Sequence, residues 1–154
     1  MIDSIDHQIL QILQDDSRTS NAEIARQVGL SPAAIHGRIK RLEQSNVIEK
    51  FTVKLNPEAI NMPIVAYCSV YLREMSKSEE AAAGFAAVNE VMEVHYTIGE
   101  ACFLLKVRCH DTADLERVLT DINNVFPVRA TNTVMVLRHG KHEINPPLYA
   151  AVTK

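Results

Sequence analysis

The spacing of apolar residues in this chain changes once, near Val47, and divides it into two parts of different architecture. Before Val47 they recur at helical intervals. Ile5, Ile9, Ile12 and Leu13 fall at i, i+4, i+7 and i+8, the buried stripe of one amphipathic helix. Ser20-Asn21-Ala22-Glu23 has the form of a capping box, in which Ser20 takes the Glu23 amide and Glu23 reaches back. It opens a second helix that buries Ile24, Ala25 and Val28 and closes at Gly29, suited to the left-handed turn after a helix. Ser31-Pro32 supplies an N-cap and a preorganised first residue for a third helix, which runs to about Ser45 with Ile35, Ile39 and Leu42 inward.

Beyond Val47 the pattern is that of strands. Residues 48–55 read as an extended segment closed by the Asn56-Pro57 turn signal, and 56–63 as a linker. Strands are expected at 64–72, 91–98, 102–109 and 130–138, and helices at 78–88 and 111–125. Ser76 or Ser78 is expected to cap the first of these helices, with Glu79 and Glu80 in its first turn. The short turn Gly99-Glu100-Ala101 joins the middle strands. The order βαββαβ is the ferredoxin-like plan, whose helices cover one sheet face only. The first strand is apolar on both faces, with Ala66, Cys68 and Val70 on one and Val65, Tyr67 and Tyr71 on the other. Its uncovered face is therefore expected to pack on another subunit. The expected fold is α+β: a helix-turn-helix domain at 1–55, a linker at 56–63 and a βαββαβ domain at 64–154.

Charge narrows the function. The chain carries −3 overall, which argues against indiscriminate binding to nucleic acid. Between Arg26 and Lys54, however, six cations face two acids, a local excess of four. No apolar run approaches the ~18 residues of a membrane span. The N-terminus lacks the basic-then-apolar pattern of a secretory signal. Cys68, Cys102 and Cys109 are an odd set without metal-ligand spacing, expected to be reduced thiols in a cytoplasmic protein. No metal or cofactor is expected, since no metal-spaced cluster, nucleophile–base constellation or phosphate-cradling glycine loop appears.

The segment from Ser20 to Glu43 carries the functional signal. Two short helices joined by a tight glycine turn form a helix-turn-helix, and the second of the pair reads the major groove with its N-terminal part. At 3.6 residues per turn, the face opposite Ile35, Ile39 and Leu42 carries Ala33, Ala34, His36, Gly37, Lys40 and Arg41, with Arg38 on its flank. Ala33 and Ala34 permit close approach and contact with a thymine methyl. His36 and Arg38 can donate to base edges or phosphates. Lys40, Arg41 and the helix start at Ser31 and Pro32 are suited to phosphates. Double-stranded DNA is the expected partner; a plain three-helix packing unit with a solvated charged face is the ordinary alternative.

IDHQILQILQDDSRTSNAEIARQVGLSPAAIHGRIKRLE, the following IEKFTVKLNPE and the βαββαβ half together closely resemble the Lrp/AsnC family of leucine-responsive, or feast/famine, regulators. The resemblance covers nearly the whole chain. It implies a winged helix-turn-helix, a strand linker, and a ligand-sensing domain that pairs sheet to sheet into dimers, often assembled into octamers. It also implies a small effector, usually an amino acid, that sits between dimers, held by the turn Gly99-Glu100-Ala101-Cys102-Phe103 and by threonines of a neighbouring subunit, a pattern that Thr131 and Thr133 match. The family commonly has an aspartate where this chain has Cys102, and a thiol does not pair with an ammonium as a carboxylate does. Each of these residues also has a plain reading: turn geometry for Gly99, a small apolar strand position for Cys102, β-branching for the threonines.

Three functions are thus compared. One is a transcription regulator modulated by an effector; another is an effector-independent protein that wraps DNA. The third is an enzyme akin to siroheme decarboxylases, which resemble the family in fold and use histidines in this half. Here that half offers only His95 and His110 on or beside its strands, and an enzyme is not expected.

Overall fold

The computed structural model describes residues 2–149. Three helices come first: α1 (Ser4–Asp15), α2 (Asn21–Val28) and α3 (Pro32–Gln44). α1 begins with a full capping box that the sequence reading did not place. Asp3 accepts the Asp6 amide at 2.8 Å, and Asp6 accepts the Asp3 amide at 3.2 Å. At α2 the expected box closes on one side only. Ser20 Oγ accepts the Glu23 amide at 3.2 Å, but the Glu23 carboxylate turns outward to Arg26 and Gln27. Gly29 ends α2 with φ of 74°, and its amide donates to the Ala25 carbonyl, a left-handed cap that a side chain would strain. Ser31 Oγ caps α3 through the Ala34 amide at 3.2 Å.

These helices share a core of Ile9, Ile24, Ala25 and Ile35, flanked by Ile5, Ile12, Leu13, Val28, Leu30 and Ile39. Each fully buried isoleucine contributes roughly 1.5–3 kcal/mol. The described residues from Lys141 onward gather with this unit, whereas the sequence reading grouped them with the sheet. Gln14 Nε2 donates to the Pro146 carbonyl at 3.4 Å, and Lys54 Nζ to that of His142 at 3.2 Å.

No strand occurs among the described residues before Ile64, so neither the wing nor the strand linker forms within the single chain. Phe51, Val53 and Leu55 alternate as a strand would, yet stand 48%, 80% and 60% exposed. A strand needs a ladder partner for its amides and carbonyls, and among the described residues none pairs with this segment.

The second unit, from Leu55 to Gly140, contains β1 (Ile64–Leu72), α4 (Ser78–Ala86), β2 (Val91–Tyr96), β3 (Phe103–Cys109), α5 (Thr112–Val125) and β4 (Val128–Met135). This is the expected βαββαβ order. The sheet runs β2-β3-β1-β4 and is antiparallel throughout. Ala66, Cys68, Val70 and Leu72 of β1 and Phe103, Leu105, Val107 and Cys109 of β3 alternate inward and pack on Ala81, Phe85, Leu115, Val118 and Ile122 of the helices. Tyr67, Ser69 and Tyr71 alternate to the other face and are half-buried, and Val65 on that face is buried, whereas the described residues of α4 and α5 pack on the first face.

Element ends differ in two instructive places. A 3₁₀ turn, Met75–Lys77, precedes α4, so neither Ser76 nor Ser78 is its cap; Lys77 stands there without a side-chain bond. β2 stops at Tyr96 because the chain already turns at Thr97, whose hydroxyl donates to the Ala101 carbonyl at 2.8 Å. α4 and α5 meet closely at Gly84, where an added Cβ would lie 2.4 Å from Val125 Cγ1. Among the described residues no helix is long and apolar enough to cross a membrane.

Candidate DNA-binding and effector sites

The start of α3 is built to be presented. Ser31 and Pro32 set its first turn, and Ile35 and Leu42 anchor it in or beside the helical core. Ala33, His36, Gly37 and Lys40 are exposed on one continuous face, as the sequence reading placed them, and Pro32 at the helix start is exposed beside them. Ala34 is half-buried and sits toward the edge. The face thus carries the helix-start amides, the small Ala33 and Gly37, and the Lys40 cation two turns further on.

Arg38 and Arg41 stand differently. Both guanidiniums turn back to the start of α1. Arg38 Nη1 donates to Asp3 Oδ2 at 2.6 Å and to Asp6 Oδ1 at 2.7 Å. Arg41 Nη2 donates to both Asp6 oxygens, at 2.9 and 2.7 Å. Asp6 is fully buried, a carboxylate whose desolvation is offset by two cations and a backbone amide. The Asp6 amide and Arg38 hold the Asp3 carboxyl below its ordinary value, and Asp3 and Asp6 raise Arg38 in turn. The Arg38 side chain is 23% exposed and that of Arg41 55%, so Arg41 keeps an outer edge in water. Asp3 and Asp6 thus join the site unforeseen. Their signal was the Asp-x-x-Asp spacing before an apolar run, itself a capping pattern.

In the second unit, Gly99, Glu100 and Ala101 form the turn between β2 and β3, with Gly99 at φ of 142°. Glu100 is exposed, and Ala101 and Cys102 are half-buried. The Cys102 amide donates to the Val70 carbonyl at 2.8 Å, and the Leu72 amide to Cys102 Sγ at 3.3 Å. Phe103 is buried between the rings of Phe85 and Tyr96, so its side chain serves the core. Thr131 and Thr133 lie opposite Val70 and Cys68 on β4, both half-buried. Phe103 also pairs with Val70, so the turn and Thr131 flank β1 on opposite sides, two strand spacings or roughly 10 Å apart. Burial raises the Cys68 thiol, partly countered by a hydrogen bond with Thr133.

Comparison with known proteins follows this division. Residues 2–43 match the AsnC-type helix-turn-helix domain, and residues 65–146 match the Lrp/AsnC ligand binding domain. The HTH-type transcriptional regulator FL11 of Pyrococcus furiosus is 34% identical over 148 residues, covering 96% of this chain and 97% of that one. The solved structure of Escherichia coli AsnC superimposes with a TM-score of 0.90 at 28% identity, covering 96% of this chain and 99% of that one. A transcriptional regulator from Neisseria meningitidis, solved as a complex with L-methionine, gives 0.88 at 28% identity, covering 96% and 97%. By name these relatives are regulators of transcription. With its two halves matching the family's two domains in order, the chain belongs to the Lrp/AsnC family of transcriptional regulators.

Proposed function

We propose that this protein binds double-stranded DNA with sequence preference through α3, and that a small effector, an amino acid, modulates its binding or assembly. The observation that carries the DNA reading is the exposed face of Ala33, His36, Gly37 and Lys40 behind a Ser31-Pro32 helix start. Small groove-side residues beside phosphate donors are what a recognition helix requires. The effector reading rests on the relative solved with L-methionine and on the turn at Gly99 to Cys102 facing solvent beside β1. The uncovered sheet face, with Tyr67, Tyr71 and Val134 directed outward, supports pairing of copies into a homodimer, which an octamer would extend. Binding to DNA fits a cytoplasmic protein.

Cys102 favours a second reading, an effector-independent DNA-wrapping protein. Its thiol is already engaged by the Leu72 amide and carries no fixed charge for an ammonium. One experiment separates the two. Light-scattering mass and thermal shift are measured with each of the twenty amino acids, and DNA binding is then measured with and without any that acts. A shift with one amino acid, accompanied by altered DNA affinity or mass, supports the regulator. Indifference to all twenty, with full DNA binding retained, supports the wrapping protein. No selection of any duplex from a random pool would remove sequence preference from both.

A further inference from the structure

We propose that Asp6 is a positioning residue for DNA binding, holding Arg38 and Arg41 so that the N–H groups it leaves unused face a DNA phosphate. The proposal rests on the reading of α3 as the DNA-binding helix. Asp6 is fully buried and accepts Arg38 Nη1 and Arg41 Nη2 at 2.7 to 2.9 Å, across 32 and 35 residues of sequence. Both Arg41 bonds come from one nitrogen, Nη2. A guanidinium has five N–H groups. Nε and Nη1 of Arg41 therefore stay available at the exposed edge of α3, one residue beyond Lys40. Tethering α1 to α3 needs one arginine, and the deeper Arg38 supplies it. Arg41, more exposed, extends the pair toward solvent.

The physical gain is preorganisation. A free arginine side chain loses rotamer freedom when it docks on a phosphate, whereas one already fixed by a carboxylate loses less. The geometry also gives a prediction opposite in sign to simple electrostatics. Asp6 is an anion beside the surface expected to meet polyanionic DNA. If it acts only by charge, removing it strengthens binding. If it acts by positioning, removing it weakens binding despite the gain of positive charge.

The test uses the full chain and a duplex that the wild-type protein recovers from a random pool. Affinity is followed over a salt series, at a temperature where circular dichroism shows each variant folded. Asp6→Asn is expected to bind about tenfold more weakly, the scale of a charge-assisted hydrogen bond. Its salt slope should flatten by up to about 0.9, the loss of one phosphate contact, as for Arg41→Ala. The loss caused by Asp6→Asn should shrink in an Arg41→Ala background. Arg41→Lys keeps the charge and leaves Arg38 to neutralise Asp6, so it answers even where Asp6→Asn does not fold; it should lose affinity as Asp6→Asn does. Equal or tighter binding by Asp6→Asn overturns the proposal, as does weaker binding at an unchanged slope, which marks a purely structural tether. Wild-type affinity in Arg41→Lys overturns it too. In those cases the wild type still binds DNA and α3 keeps its role; a wild type that binds no DNA overturns both.

Discussion

The Leu72 amide donates to Cys102 Sγ across 3.3 Å, which fixes the thiol between the end of β1 and the turn that leads into β3. A carboxylate at this position could take the same amide and still face a ligand ammonium. Cys102→Asp is therefore expected to raise affinity for an α-amino acid by about tenfold, the increment of a charge-assisted bond. Calorimetry over the twenty amino acids measures it. No gain with any of them would take this position out of effector recognition.

The three thiols should separate by reactivity. Burial lifts Cys68 above the ordinary thiol range, and burial followed by the charges of Asp114 and Glu90 pushes Cys109 up to about 11. Cys102 is half-buried. Brief iodoacetamide treatment near neutral pH should mark Cys102 first, as read by peptide mass spectrometry. Early labelling of Cys109 would mean that α5 opens from the sheet far more readily than its packing implies.

Gly84→Ala is expected to destabilise the second unit by about 1–3 kcal/mol, because its new methyl meets Val125 Cγ1 at 2.4 Å. Val125→Ala should restore most of the loss. Denaturant midpoints of the two single variants and the double variant decide the matter, and simple additivity would place the strain elsewhere.

Gly37 lies inside α3 with nothing within 4 Å of an added Cβ. Gly37→Ala should thus stabilise the protein by up to about 1 kcal/mol while weakening DNA binding through a methyl on the groove face. His36→Ala, beside it, should alter the consensus selected from random DNA. Unchanged DNA affinity in the first variant, or an unchanged consensus in the second, would withdraw that residue from the interface.

Acid should loosen the start of α1. The Asp3 carboxyl is held below its ordinary value of about 3.9 by the Asp6 amide and then by Arg38. A lowered folded value stabilises the fold above the ordinary value, and that contribution is lost as pH falls through the folded one. Between about pH 5 and pH 2 the wild type should therefore lose more thermal stability than Asp3→Asn. Equal acid sensitivity would show that Asp3 contributes nothing to it.

What the sequence revealed was mostly local. Gly29, Ser31-Pro32 and the Ile35–Leu42 spacing signal through neighbours a few residues away, and the structure repeats them. The Asp6 cluster spans 32 to 35 residues; helical periodicity turned Arg41 outward, where it is exposed, but knows nothing of the α1 carboxylate to which it also reaches back. At Glu23 the competing Arg26 and Gln27 one turn on took the carboxylate from the cap. Phe51 to Leu55 show the converse: the alternation is plain, but among the described residues no strand pairs with it. For the effector site, the turn is legible as a turn, but the arrangement of a turn from one subunit and threonines from another is not written in either segment alone.

Because the described residues from Lys141 onward gather with the first helices, the sheet unit is an insertion within the helical one. On the ribosome, α1 to α3 emerge early, whereas the segment that seats beside Gln14 follows all four strands. An open cleft of about 590 Å³, lined by Gln8, Gln11, Gln14, Gln27 and Leu148, is thus completed late in synthesis. A nascent chain halted before Gly140 would present α1 to α3 without the residue that lines that cleft from the far end of the sequence.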